Sequence, residues 1–272
     1  MQQNLLILWR HRLLVQSLVN RELKARYRGS MLGFLWSFLN PLMLMGVYSL
    51  VFKVYMRVEG IDNYAIFVFC GLLPWLWFSS SILEGTNSII AGAPLVKKVL
   101  FPAEILPITV VLSNLVHFLL GLPILLLFLL CSSLAFPAAH IVAMIPVVFV
   151  QLVFTIGLVL LLSALSVHYR DISQILANIM TLWFFLSPII YSMDQVRQML
   201  AHRYSAPVEL AILSTYHLNP MAHIIEAYQD VLYRNVWPSW TALGVVFAAS
   251  LLLLAFGYRV FNNSKSWFAE EV

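Results

Sequence analysis

The chain reads as an all-α integral membrane protein with six transmembrane helices per protomer, and three observations predict this. Of its 272 residues, 61% are hydrophobic and 10% charged, whereas a soluble domain carries roughly a quarter charged residues to face water. Six runs, at about 33–55, 64–84, 105–131, 138–165, 174–191 and 241–261, are apolar and close to the length a span requires, about 20 residues or 30 Å of hydrocarbon. Those runs are continuous, whereas strands of a membrane barrel alternate over about 10 residues. Together they leave no room for a large soluble domain.

Residues 1–32 form a cytoplasmic amphipathic interface helix, with the transmembrane domain following over 33–272. In 3–28, Leu5, Leu6, Trp9, Leu13 and Val15 carry the apolar side, and Arg12, Gln16, Asn20, Lys24 and Arg28 the polar side. Such a segment lies in the headgroup region of membrane lipids. Gly29-Ser30 turns the chain into the first span, where Asn40-Pro41 predicts a kink or a freed carbonyl.

The net charge of +4 comes mostly from Arg10, Arg12, Arg21, Lys24, Arg26 and Arg28 ahead of that span. A basic cluster can bind RNA. Beside an apolar span it marks the cytoplasmic side instead, and no nucleic acid is expected as a partner. Lys97, Lys98, Arg170, Arg259 and Lys265 then fall on the same side, against Lys53, Arg57, Arg197, Arg203 and Arg234 on the other. Both termini are thus expected in the cytoplasm of a multi-pass inner-membrane protein. The run Leu5 to Trp9 is too short for a signal-peptide core.

The loop 85–104 carries Lys97 and Lys98 between Pro94 and Pro102, and Leu95 to Phe101 have room for two helical turns. The next loop on that side is the short His168 to Ile172. Pro188 is placed to break the fifth span into a partly inserted segment, Ile189 to Leu200. The periplasmic segment 192–240 contains Asn219-Pro220, a cap followed by proline at the first helical position. After it, Met221, Ile224, Ile225, Tyr228, Val231 and Leu232 recur at helical spacing opposite Glu226, Gln229 and Asp230, an amphipathic outer-leaflet helix.

Chemistry is sparse. Lys265-Ser266 lacks the glycines of a phosphate loop, and zinc-protease and nucleophile-elbow motifs do not occur. Cys70 and Cys131 read as packing residues, so no disulfide or metal is expected. His117 is either a relay residue or a helix–helix hydrogen bond, and Glu84 either a coupling carboxylate or an interfacial one. Aromatic belts explain most of the 14% aromatic content. Phe38, Tyr48 and Trp183 lie nearer mid-span, where they either pack or offer flat faces to sugar rings.

Four sequence features resemble a known family. They are Arg21-Glu-Leu-Lys-Ala-Arg-Tyr-Arg-Gly-Ser-Met-Leu-Gly-Phe-Leu-Trp-Ser-Phe-Leu-Asn-Pro41, Val96-Lys-Lys-Val-Leu-Phe-Pro-Ala-Glu-Ile-Leu-Pro107, Tyr169-Arg-Asp171, and Ser187-Pro188 with Asn219-Pro220. Together they resemble the permease subunits of ABC transporters of the polysaccharide-exporter type, which export O-antigen, capsule or teichoic acid. The resemblance implies a homodimer working with two cytoplasmic ABC ATPase subunits, and a lipid-linked polysaccharide as cargo. ATP and Mg would bind the ATPase, leaving this chain without cofactor or catalytic residue. It implies that Leu95, Lys97, Lys98, Phe101, Tyr169, Arg170 and Asp171 couple to the ATPase, and that the first and fifth spans line the channel. Phe38, Tyr48, Trp183 and Phe184 would be channel-lining aromatics. Arg26 and Arg28 would attract the phosphate of the lipid carrier, or else obey the positive-inside rule alone. Alternatives are a drug or lipid permease and a membrane acyl- or glycosyltransferase. The latter needs His, Asp or Glu clustered at one depth, whereas His117, Glu84 and Asp171 are scattered.

Overall fold

The computed structural model describes residues 11–27, 29–57, 60–97, 101–203, 208, 213–214 and 216–271, and among these every regular element is helical. In order they are α1 (Arg12–Tyr27), α2 (Trp36–Ser49, prolonged by a π-helical stretch Leu50–Tyr55), α3 (Tyr64–Thr86), α4 (Ser88–Ala91) and α5 (Ala93–Val96). Then come α6 (Ile105–Cys131), α7 (Met144–His168), α8 (Ile172–Phe185), α9 (Met193–Arg203), α10 (Pro220–Gln229, prolonged by Asp230–Arg234) and α11 (Trp240–Glu271). Among the described residues five helices are long and apolar enough to cross a membrane: Trp36–Tyr55, Tyr64–Thr86, Ile105–Cys131, Ile141–His168 and Trp240–Phe268.

The remaining expected span, 174–191, is where the structure departs from the sequence reading. Its helix α8 has 14 residues, about 21 Å at 1.5 Å per residue, short of a roughly 30 Å hydrocarbon core. The chain bends at Leu186–Ser192 around Pro188. Its backbone still reaches the other end of the bundle, where Ile190 O accepts a 2.7 Å hydrogen bond from the Tyr64 hydroxyl. Irregular backbone at membrane depth survives only inside protein. Ser187, Ile189 and Ile190 are accordingly buried.

Side-chain bonds show that successive helices alternate between two ends. At the proximal end, Ser173 Oγ donates to Asn87 Oδ1 at 2.6 Å, and Lys265 approaches Glu104. At the distal end, Asn63 bonds Ser133, the Tyr233 hydroxyl donates to Asp62 O, and His140 meets Asn235.

Lipid is as apolar as leucine, so helices associate in it through close packing and polar bonds. Both occur here. A Cβ on Gly257 would lie 2.4 Å from Gly157 O, and one on Gly157 would lie 2.8 Å from Leu254 N, so α7 and α11 touch backbone to backbone. Gln151, fully buried on α7, donates from Nε2 to Pro74 O on α3 at 2.8 Å.

α10 begins as its cap predicts: Asn219 Oδ1 accepts from the backbone N–H of Met221 and Ala222 at 3.1 and 3.3 Å. Met221, Ile224, Ile225, Tyr228, Val231 and Leu232 are all buried. Gln229, read from sequence as part of the polar face, is also fully buried and donates to Pro188 O at 2.7 Å. The helix thus sits within the distal half of the bundle, leaving His223, Glu226 and Asp230 as its half-buried edge. In α1 the seated residue is Leu18, while Leu13, expected on the apolar side, is 74% exposed. Leu5, Leu6, Trp9 and Arg10 lie outside the described residues.

Candidate functional site

The residues expected to meet an ATPase gather at the proximal end. The first loop runs through two single helical turns, α4 and α5, the second led by Pro94 near its start. Leu95, Val96 and Phe101 pack partly against a buried cluster of Ile89, Ala103, Leu106, Leu160, Ala164, Val167, Phe261 and Phe268. That packing turns the apolar side of the loop inward and leaves Lys97 exposed. Lys98 lies outside the described residues, as do Val99 and Leu100 between the turns and Phe101. In the second loop Tyr169, Arg170 and Asp171 are all exposed. The two loops are held side by side, because Ser173 bonds Asn87 and the Ser166 hydroxyl donates to Thr86 O.

Arg26 ends α1 in a closed polar triad. Its Nη1 donates to Asn114 Oδ1 at 3.1 Å, its Nη2 pairs with Glu84 Oε2, and Asn114 Nδ2 donates to the same carboxylate oxygen at 2.9 Å. One guanidinium therefore ties the first helix to α3 and α6. An arginine expected to attract lipid phosphate already has a carboxylate partner. Arg28 lies outside the described residues. Beside the triad a cavity of about 310 Å³ opens between α2, α3 and α6, and Ser37, Asn40, Asn114 and His117 line it. Ser37 Oγ lies 3.4 Å from His117 Nδ1, a contact between the first and third spans.

Three of the four expected aromatic path residues come together. Tyr48 stacks on Phe184 with centroids 5.2 Å apart, joining α2 to α8. Phe184 meets Trp75 edge-on, while the neighbouring Trp183 meets Phe78 and Phe154. Trp183 Nε1 donates to Asn219 Oδ1 at 2.8 Å, so the α10 cap also orients this ring. Phe38 lies ten residues before Tyr48 on the same helix, about 15 Å along its axis.

At the distal end the His217 and His223 rings stack at 5.5 Å, and His223 Nδ1 lies 3.9 Å from Glu226 Oε2. Arg234 bridges Asp230 at 2.8 Å and Asp194 at 3.5 Å. Burial, then the Asp230 charge, pushes the Glu226 carboxyl up to about 7. Burial also raises Asp230 against the pull of Arg234. Among the described residues no three His, Cys, Asp or Glu side chains are grouped to hold a metal ion.

Residues 13–233, most of the chain and both loops, match the family described as ABC-2 type transporter. The chain belongs to that family. Over 265 residues it is 41% identical to the O-antigen export system permease protein RfbA of Myxococcus xanthus, covering 97% of each chain. Two proteins of Klebsiella pneumoniae bearing the same name are 34% and 32% identical over 254 residues, covering 93% of this chain and 92% of theirs.

The polar fasteners of this ABC-2 transporter carry no motif in the sequence. Asn114, Glu104, Gln151 and Gln229 were visible as polar residues in or beside apolar runs, and each is buried. A polar side chain costs several kcal/mol in lipid unless partnered. That cost was the available signal, although it names no partner.

Proposed function

We propose that the chain is the permease subunit of an ATP-driven exporter that carries lipid-linked O-antigen across the inner membrane. The observation that carries this reading is the 41% identity, over 97% of both chains, to a protein named as an O-antigen export permease. In this reading the proximal end faces the cytoplasm, and two copies pair with two ATPase subunits that hold ATP and Mg. Lys97, Tyr169, Arg170 and Asp171 meet the ATPase. Loop packing against α6, α7 and α11 supports this role, because a push on the loops must reach the spans. Tyr48, Trp183 and Phe184, with Phe38 toward the cytoplasmic end, then flank the glycan path.

The transporter converts nucleotide-driven closure into altered packing of its spans, a two-state bias with no covalent chemistry of its own. α8 and the bend after it provide a short crossing where such repacking can occur. The test is purification from cells that also express the ATPase candidates, followed by hydrolysis measured with lipid-linked O-polysaccharide added. The expected result is an ATPase that co-purifies and is stimulated by the glycan. In cells, loss of the chain should deplete surface O-antigen while lipid-linked glycan accumulates inside. Normal surface O-antigen in the deletion strain overturns the reading.

A further inference from the structure

The C-terminal end of α11 packs with the first proximal loop, an arrangement that membrane spanning does not require. Glu104, immediately before α6, is 4% exposed. A carboxylate so buried needs a partner charge. Lys265 supplies one from α11, with Nζ 2.9 Å from Glu104 Oε2. The approach is off the line a hydrogen bond needs, so charge holds the pair. The ammonium also lies 6.0 Å from the Tyr258 ring centre and 5.9 Å from that of Phe261, within cation–π range. Below it Phe261 and Phe268, both fully buried, meet edge to face at 5.1 Å in the cluster that receives Leu95, Val96 and Phe101.

We infer that Glu104 and Lys265 form a transmission clasp: they are positioning residues that fasten the proximal loop to α11, so displacement of the loop moves α11 together with α6. The inference rests on the proposed exporter role. α11 in turn lies backbone to backbone on α7 at Gly157 and Gly257, so the clasp recruits two spans that the loop does not precede. Without it, the loop is tied to the last span by apolar packing alone.

The test uses the whole permease with its ATPase and reads glycan exported per ATP hydrolysed. Replacing both partners, Glu104→Met with Lys265→Met, strands neither charge and preserves folding. Export per ATP should then fall by roughly three- to tenfold, the bias one ion pair sets between two states. Lys265→Arg with Glu104 intact keeps the charge pair and should keep the wild-type ratio. An unchanged ratio in the double-Met protein overturns the clasp. Hydrogen exchange over Ser88–Val96 reads the same contact in the permease without any transport. It should quicken several-fold in the double-Met protein, and unchanged exchange also overturns the inference. If the wild-type complex hydrolyses no ATP, the exporter reading fails, while the exchange measurement still decides whether the fastening exists.

Discussion

Glu226 shows how a single side chain makes the distal end sensitive to pH. It lies on the half-buried edge of α10, with Asp230 one turn onward, Arg234 beyond it, and Asp194 and Arg197 facing it from α9. Its folded pKa, about 7, stands above its ordinary value of 4.5. A raised carboxyl pKa means that its stabilising contribution is full below pH 4.5 and is lost as pH rises through 7. Glu226→Gln should therefore leave stability near pH 4.5 unchanged and raise it at pH 8 by about 2–3 kcal/mol. Thermal unfolding in detergent at the two pH values checks this. An equal shift at both would assign the effect to shape rather than charge. The residue was legible in the sequence only as part of a polar face, because its burial depends on α10 entering the bundle.

Among the elements, the α7–α11 seam carries the sharpest prediction. A Cβ on Gly257 or Gly157 would meet backbone atoms, which cannot rotate away as a side chain can. Gly257→Ala should cost at least about 1–3 kcal/mol, the range for overpacking, read as a lower unfolding temperature and less folded protein. Gly244→Ala, on the same helix with open space around it, is the control and should be neutral or slightly stabilising. The α6 limits, 105–131, were legible because the apolar run ends in Ser132-Ser133 and starts just after Pro102 and Glu104. At the end of the fifth run, Ser187 to Ile190 are apolar enough to suit lipid, yet they are buried by protein. Hydropathy cannot distinguish these two surroundings. The pairing of Gly157 with Gly257 was equally hidden, since the residues are distant in sequence and share no local motif.

For the whole molecule, a polar triad and the buried Leu18 help to fasten the first helix to the bundle. Glu84→Ala removes the shared carboxylate from both Arg26 and Asn114. The expected result is several-fold faster hydrogen exchange over Arg12–Tyr27 with little change in α3 and α6. Equal protection would place the attachment of α1 elsewhere. The all-helical, membrane-spanning character of the chain was legible in the sequence, because composition acts along the chain. The sequence did not show which loops would adjoin, since ties such as Asn87 to Ser173 connect distant positions. The first span has a further consequence. Only 6% of its apolar window is buried, against 78% for the second span. Met43, Val47, Leu50 and Val54 face outward. A helix so lightly seated leaves most of its apolar surface outside the packed core of its own chain.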